Sequence, residues 1–131
     1  MIVVDASALV AIGDDELERA ELLSALELDD RVIGSVNYVE AGLILIGRRR
    51  LENKPDFDRW LNKLGVAVRS TDDLAELALE TYLRFGRSYH RARLNLGDCY
   101  AYALAKRLDA SLLYKGDDFA MTDVRPALQP T

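Results

Sequence analysis

The chain carries one cysteine, Cys99, and one histidine, His90. A lone cysteine closes no intramolecular disulfide, which matches a reducing cytosol, and it builds no thiolate-rich zinc site. With a single imidazole besides, a metal here must be held mainly by oxygen ligands, which suits Mg²⁺ or Mn²⁺. Proline and glycine are scarce while half of the residues are apolar, so a disordered or low-complexity chain is excluded. No apolar run approaches the ~18 to 20 residues that span a bilayer. The start, MIVVDASALVAI, has no basic n-region and places an Asp within its apolar run, unlike a signal peptide. A cytoplasmic protein without a membrane segment is expected. Residues 1–131 read as one domain, long enough for a real core and without a linker or internal repeat.

The formal charge of −5 disfavours a nucleic-acid partner only mildly, because the charge is unevenly placed. Residues 14–30 carry eight acids against Arg19 alone, whereas residues 84–93 carry Arg84, Arg87, Arg91 and Arg93 with His90 and no acid. Placement rather than sum steers a polyanion, so the basic run is compatible with RNA or DNA. Each arginine is equally readable as ordinary surface charge, and His90 as an exposed residue between arginines.

Apolar β-branched runs alternate with helical patterns. IVV at 2–4, RVIGS at 31–35, VAVRS at 66–70 and SLLYK at 111–115 read as strands, with a possible fifth near Val124. Helices are expected from about Ser7, over 15–28 with Leu17, Ala20, Leu23 and Leu26 inward, and over 36–50. Others are expected from Pro55 to Leu64, over 73–86 behind a Thr71 or Asp72 cap, and over 97–109. The arginines at 48–50 then match a helix C-terminal dipole. GDDFAMTDV reads as a loop with one helical turn. Strand–helix alternation implies a parallel sheet of four to five strands covered on both faces, an α/β/α sandwich.

In such sheets, sites form beyond the carboxyl ends of the strands. Asp5 ends the first strand, Glu40 lies early in the helix after the second, Asp98 opens the helix before the fourth, and Asp117 and Asp118 follow the fourth. Each alone reads as a cap: Asn37-x-x-Glu40 and Asn95-x-x-Asp98 resemble capping boxes, and Asp5 or Ser7 can open the first helix. Together, carboxylates converging on one edge would repel unless a hard cation sat among them.

Asp5 in IVVDASALVAI, Glu40 in SVNYVEAGLIL, Asp98 in LNLGDCYAYALAK, the stretch YLRFGRSYHRARLN and the closing LLYKGDDFAMTDV resemble PIN-domain proteins. More narrowly they resemble VapC-type endoribonuclease toxins of bacterial type II toxin–antitoxin pairs, from Met1 to about Val124. The resemblance implies a PIN-like sandwich, a homodimer, and inhibition by a cognate VapB-type antitoxin. It also implies Mg²⁺- or Mn²⁺-dependent hydrolysis of RNA by metal-activated water. By motif match Asp5 and Asp98 carry over as metal ligands and Glu40 as a ligand or general base, with Ser7 as a supporting hydroxyl. The fourth acid departs from the T-x-D pattern of many members. KGDDF favours Asp118, with Asp117 as the alternative. Arg84, Arg87, His90, Arg91 and Arg93 are candidate RNA contacts.

The rival readings are a catalytically inactive PIN-fold binding module and, more remotely, a receiver-like phosphoaspartate domain using Asp72 and Lys115. The latter lacks the expected acid pair, since Asp5 is followed by Ala6. Cys99 reads as a small buried residue, and Tyr100 and Tyr102, two apart on a helix, cannot share a face.

Overall fold

The four apolar runs pair, all in parallel. The computed structural model describes residues 1–128. Strands β1 (Ile2–Val4), β2 (Arg31–Gly34), β3 (Val66–Arg69) and β4 (Ser111–Leu113) form one sheet in the order β3-β2-β1-β4. Ile2 lies opposite both Arg31 and Ser111, and Arg31 opposite Val66. The helices are α1 (Ala6–Gly13), α2 (Arg19–Leu26), α3 (Ser35–Gly47), α4 (Lys54–Lys63), α5 (Ala75–Phe85) and α6 (Leu96–Arg107).

The two-residue period of the strands divides the core into two layers. Ile2, Val4, Ile33 and Leu113 face one way, onto Leu9 and Ile12 of α1, Leu22 and Leu26 of α2, Leu45 of α3 and Phe57 of α4. Val3 and Leu112 face the other way, onto Ala78 and Phe85 of α5 and the small-residue face of α6, with Ala101, Leu104 and Ala105. Each fully buried Val, Leu or Phe contributes about 1.5–3 kcal/mol of burial free energy, so both layers are needed. Such two-sided coverage makes the fold an α/β/α sandwich with a four-stranded parallel sheet. Cys99 is fully buried, as expected. Tyr102 is buried and Tyr100 only partly so, which separates their two faces. Among the described residues no helix is long and apolar enough to cross a membrane.

Several local expectations are corrected. The helix expected over 15–28 begins only at Arg19, because Asp15 takes a left-handed φ of 54° that ends the preceding helical run. Leu17 is consequently 98% exposed and Ala20 is exposed too, whereas Leu26 is buried as expected and Leu22 and Ala25 complete the buried face. Helix α3 ends at Gly47, so Arg48–Arg50 do not form its last turn. Arg48 and Arg50 pair with Asp14, just after α1. Neither Thr71 nor Asp72 caps a helix with its side chain. A 3₁₀ turn, Asp72–Leu74, leads into α5, and the Thr71 hydroxyl meets that of Ser35 at 2.7 Å. The fifth strand shrinks to a bridge: the Leu112 N–H donates to Arg125 O, and the Ala127 N–H donates to Leu112 O. Pro126 sits between them without an N–H and cannot extend the ladder. The turn expected in GDDFAMTDV is present at Phe119–Met121. Pro55 does open α4, behind an Asn53 cap.

Candidate active site

Helices of a parallel α/β fold run antiparallel to their strands, so the starts of α1, α3 and α6 gather at the edge where β1, β2 and β4 end. That edge has a positive helix-dipole character suited to anions and carboxylates. Asp5 is the N-cap of α1, and its Oδ2 accepts the Ser7 N–H at 3.0 Å. At 3% exposure its carboxyl is pushed up to about 6, mainly by burial and further by the charge of Glu40, against the opposing Ser7 hydrogen bonds.

Glu40 lies inside the second turn of α3, whose N-cap is Gly34. Asn37 is therefore a helical residue, and the expected capping box is not formed. Instead the Asn37 side-chain amide donates to Glu40 Oε1 at 2.8 Å. Burial raises the Glu40 pKa, the Asn37 bond opposes this, and Asp98 adds to the rise. Asp98 does form its capping box. The Asp98 N–H donates to Asn95 Oδ1 at 2.9 Å, and Asp98 Oδ2 accepts the Asn95 N–H at 3.0 Å. Burial pushes its carboxyl up to about 6; the Asn95 bond opposes this, Asp5 and Asp118 push it further, and Arg87 pulls it down.

Asp118 and Asp117, the two candidates for the fourth acid, act on different neighbours. The charge of Asp118 acts on Asp98, whereas that of Asp117 acts on Tyr114. Both are exposed. Ser7 Oγ accepts the Lys115 N–H at 3.0 Å, tying α1 to the loop that carries Asp118. The Lys115 ammonium pairs with Glu16 and, at 3.6 Å, with Glu18.

Glu40 thus acts on Asp5, Asp98 on Glu40, and Asp5 and Asp118 on Asp98. Yet among the described residues no three acid, imidazole or thiol side chains converge as a ready-made metal cluster. Each acid other than Asp118 rests on its own local hydrogen bond. The donor chemistry nevertheless fits a hard divalent cation: the four candidate acids offer carboxylate oxygens, and their burial and repulsion are the penalty such a cation relieves.

The basic segment forms a loop closed at its base. The Arg87 N–H donates to Leu94 O and the Leu94 N–H to Phe85 O, both at 3.1 Å. The charge of Arg87 acts on Asp98. Arg84 instead lies over the Phe85 ring at 4.5 Å and faces Asp123 at 3.9 Å, so it is engaged within the fold. His90 is not a free histidine between arginines: its Nδ1 accepts the Ala92 N–H at 3.0 Å and its ring meets Phe85 edge-on. Arg91 and Arg93 are exposed. Two residues that sequence reading gave no role at the site are Asn37, a buried polar residue within a helix, and Gly97, a glycine in a first turn. In the sequence, an Asn three residues before an acid has the same pattern as a cap.

The structure is a three-layer parallel α/β domain with candidate acids at the carboxyl edge of its sheet, and the PIN domain model matches residues 2–124. The chain is 42% identical over 126 residues to Ribonuclease VapC of Mycolicibacterium smegmatis, covering 94% of this chain and 97% of that protein. It is 44% identical over 129 residues to Ribonuclease VapC42 of Mycobacterium tuberculosis, covering 96% and 98%. The crystal structure of Mycobacterium tuberculosis VapC20, titled a sarcin-ricin loop cleaving toxin, superposes with a TM-score of 0.68 at 22% identity, covering 96% of this chain and 100% of that one. The chain belongs to the PIN-domain family, within the VapC ribonucleases.

Proposed function

We propose that the chain is a Mg²⁺- or Mn²⁺-dependent endoribonuclease toxin, neutralised by a cognate VapB-type antitoxin and acting as a homodimer. The observation that carries the catalytic reading is that Asp5, Glu40 and Asp98, from three separate helices, lie at one sheet edge, with Asp5 and Asp98 pushed up to about 6 chiefly by burial and further by neighbouring acids. A capping role alone does not call for burying carboxylates of separate helices beside one another. Asp5, Glu40 and Asp98 would hold the metal, with Asp118 as the fourth acid. A bound Mg²⁺ or Mn²⁺ supplies water activation and neutralises charge building on the phosphodiester and its leaving oxygen.

The chain's own residues orient and select. Ser7 fixes Asp5 through its N–H and the Asp118 loop through its hydroxyl. Arg87 is placed to grip a phosphate next to the acids, since guanidinium pairs with phosphate oxygens in a bidentate fork. Arg91 and Arg93 extend that positive face along an RNA strand, while Arg84 and His90 hold the loop in shape. No side-chain nucleophile is required. Exposed Val39 and Leu43 on α3 offer apolar surface for a second copy or for the antitoxin.

Mapping new RNA 5′ ends after expression of the wild type and Asp98→Asn tests this reading and identifies the target together. Specific ends with the wild type, lost in Asp98→Asn and lost in vitro with EDTA, are expected. Cleavage by a folded Asp98→Asn protein at the wild-type rate refutes the assigned site. Tight binding to a co-encoded partner with no cleavage at all favours the inactive binding module.

A further inference from the structure

Outside the acids, the most constrained polar side chain is Asn37, which is 0% exposed. Its Nδ2 donates to Glu40 Oε1 at 2.8 Å and to Gly97 O at 3.0 Å, while its Oδ1 is buried without any partner. The amide is oriented by its donors alone, because turning it over would set Oδ1 against a carboxylate and a carbonyl. An unpartnered buried acceptor costs stability, and an apolar side chain of similar size would remove that cost. What such a replacement would give up is the hold on Glu40.

The opposite wall is Gly97, in the first turn of α6. A Cβ there would overlap both carboxylate oxygens of Glu40. Its backbone is not left-handed, so space rather than conformation calls for glycine. The overlapping atoms are the far end of a flexible side chain, which can swing away without disturbing the fold.

We propose that Asn37 and Gly97 together form the seat of Glu40: the Asn37 amide grips one carboxylate oxygen and pins it to the start of α6, and the bare Gly97 backbone leaves the room it occupies. Asn37 is thus a positioning residue, touching neither RNA nor the reacting atoms. The inference rests on the metal-dependent reading of the site. Groups that orient a metal ligand from behind typically change metal affinity 10- to 100-fold when removed.

The test is calorimetric titration of Mn²⁺ alone, without RNA, into the wild type, Asn37→Leu and Gly97→Ala, with melting curves and RNA-cleavage kinetics alongside. Expected is a loss of Mn²⁺ affinity of about 10-fold or more in both variants. Gly97→Ala should melt no lower than the wild type, since alanine favours a helix over glycine. In cleavage at a fixed metal concentration, kcat should fall with KM for RNA unchanged. Wild-type Mn²⁺ affinity and kcat in both variants overturn the seat while leaving the metal site standing. Failure of the wild type itself to bind Mn²⁺ overturns both. If Asn37→Leu does not fold, Gly97→Ala decides the matter by the same two readouts.

Discussion

Replacing Asp5 with Asn should make the metal-free protein more stable while abolishing its activity. Asp5 is almost wholly buried, and its carboxyl is displaced from 3.8 to about 6, chiefly by burial. A displacement of that size corresponds to about 3 kcal/mol of destabilisation wherever the group is ionised in both native and unfolded chains. The sign follows from proton uptake. Above about pH 6 both states are ionised and the full cost applies. As the pH falls from about 6 towards 3.8, the native carboxyl takes up a proton first, so the native state gains stability and the cost disappears. Asn at this position still accepts the Ser7 N–H, but buries an amide NH₂ in place of a carboxyl oxygen, offsetting about 1–2 kcal/mol. The net gain at pH 7.5 is about 1–2 kcal/mol, or several degrees in Tm for a domain of this size. Thermal unfolding in EDTA at pH 7.5 and again at pH 4.5 checks it, with the advantage shrinking at the lower pH. Adding Mg²⁺ at about 100 times its Kd should stabilise the wild type by about 2.7 kcal/mol and Asp5→Asn far less. An Asp5→Asn protein less stable than the wild type at pH 7.5, or an advantage undiminished at pH 4.5, would sink the electrostatic reasoning.

The two neighbouring acids of the closing loop should separate in single-turnover cleavage. Asp118→Asn should lower the rate about 10-fold or more, whereas Asp117→Asn, whose charge acts on Tyr114, should leave it within about twofold. Equal losses would mean that both acids serve the site. Arg87→Ala should raise KM for RNA with little change in kcat, and flatten the log–log salt dependence by about 0.7 for a single-stranded substrate. An unchanged salt slope would place the phosphate grip elsewhere on the loop.

The four strands and the positions of Asp5, Glu40, Asp98 and Asp118 near strand ends were legible in the amino-acid order because they depend on short-range patterns. An apolar run next to an acid, or a cap next to a periodic face, is a local property of the chain. Helix α2 shows where that reading stops. Leu17 fits the helical spacing of its neighbours, yet a left-handed Asp15 puts it in water. The same limit applies to Arg48 and Arg50, whose partner Asp14 lies more than thirty residues away, and to the fifth strand, which Pro126 reduces to a bridge.

At the carboxyl edge the division is sharper. By itself, the order of residues determined that any metal would meet oxygen ligands and that the acids fall on separate segments, and it offered one capping-box pattern that forms, Asn95-x-x-Asp98, and one that does not, Asn37-x-x-Glu40. It left open whether those acids share one place, because each is explained equally well by its own helix. Only the tertiary structure sets Asp5 near Asp98, since the sheet order β3-β2-β1-β4 brings together the starts of α1 and α6, ninety residues apart. The burial and the neighbouring acid charges that set the carboxyls of Asp5 and Asp98 near 6, Glu40 for Asp5 and Asp5 and Asp118 for Asp98, exist only in the folded chain. The role of Asn37 is decided there too. It resembles a cap along the chain, and becomes a hand on Glu40 only when Gly97 is packed against it.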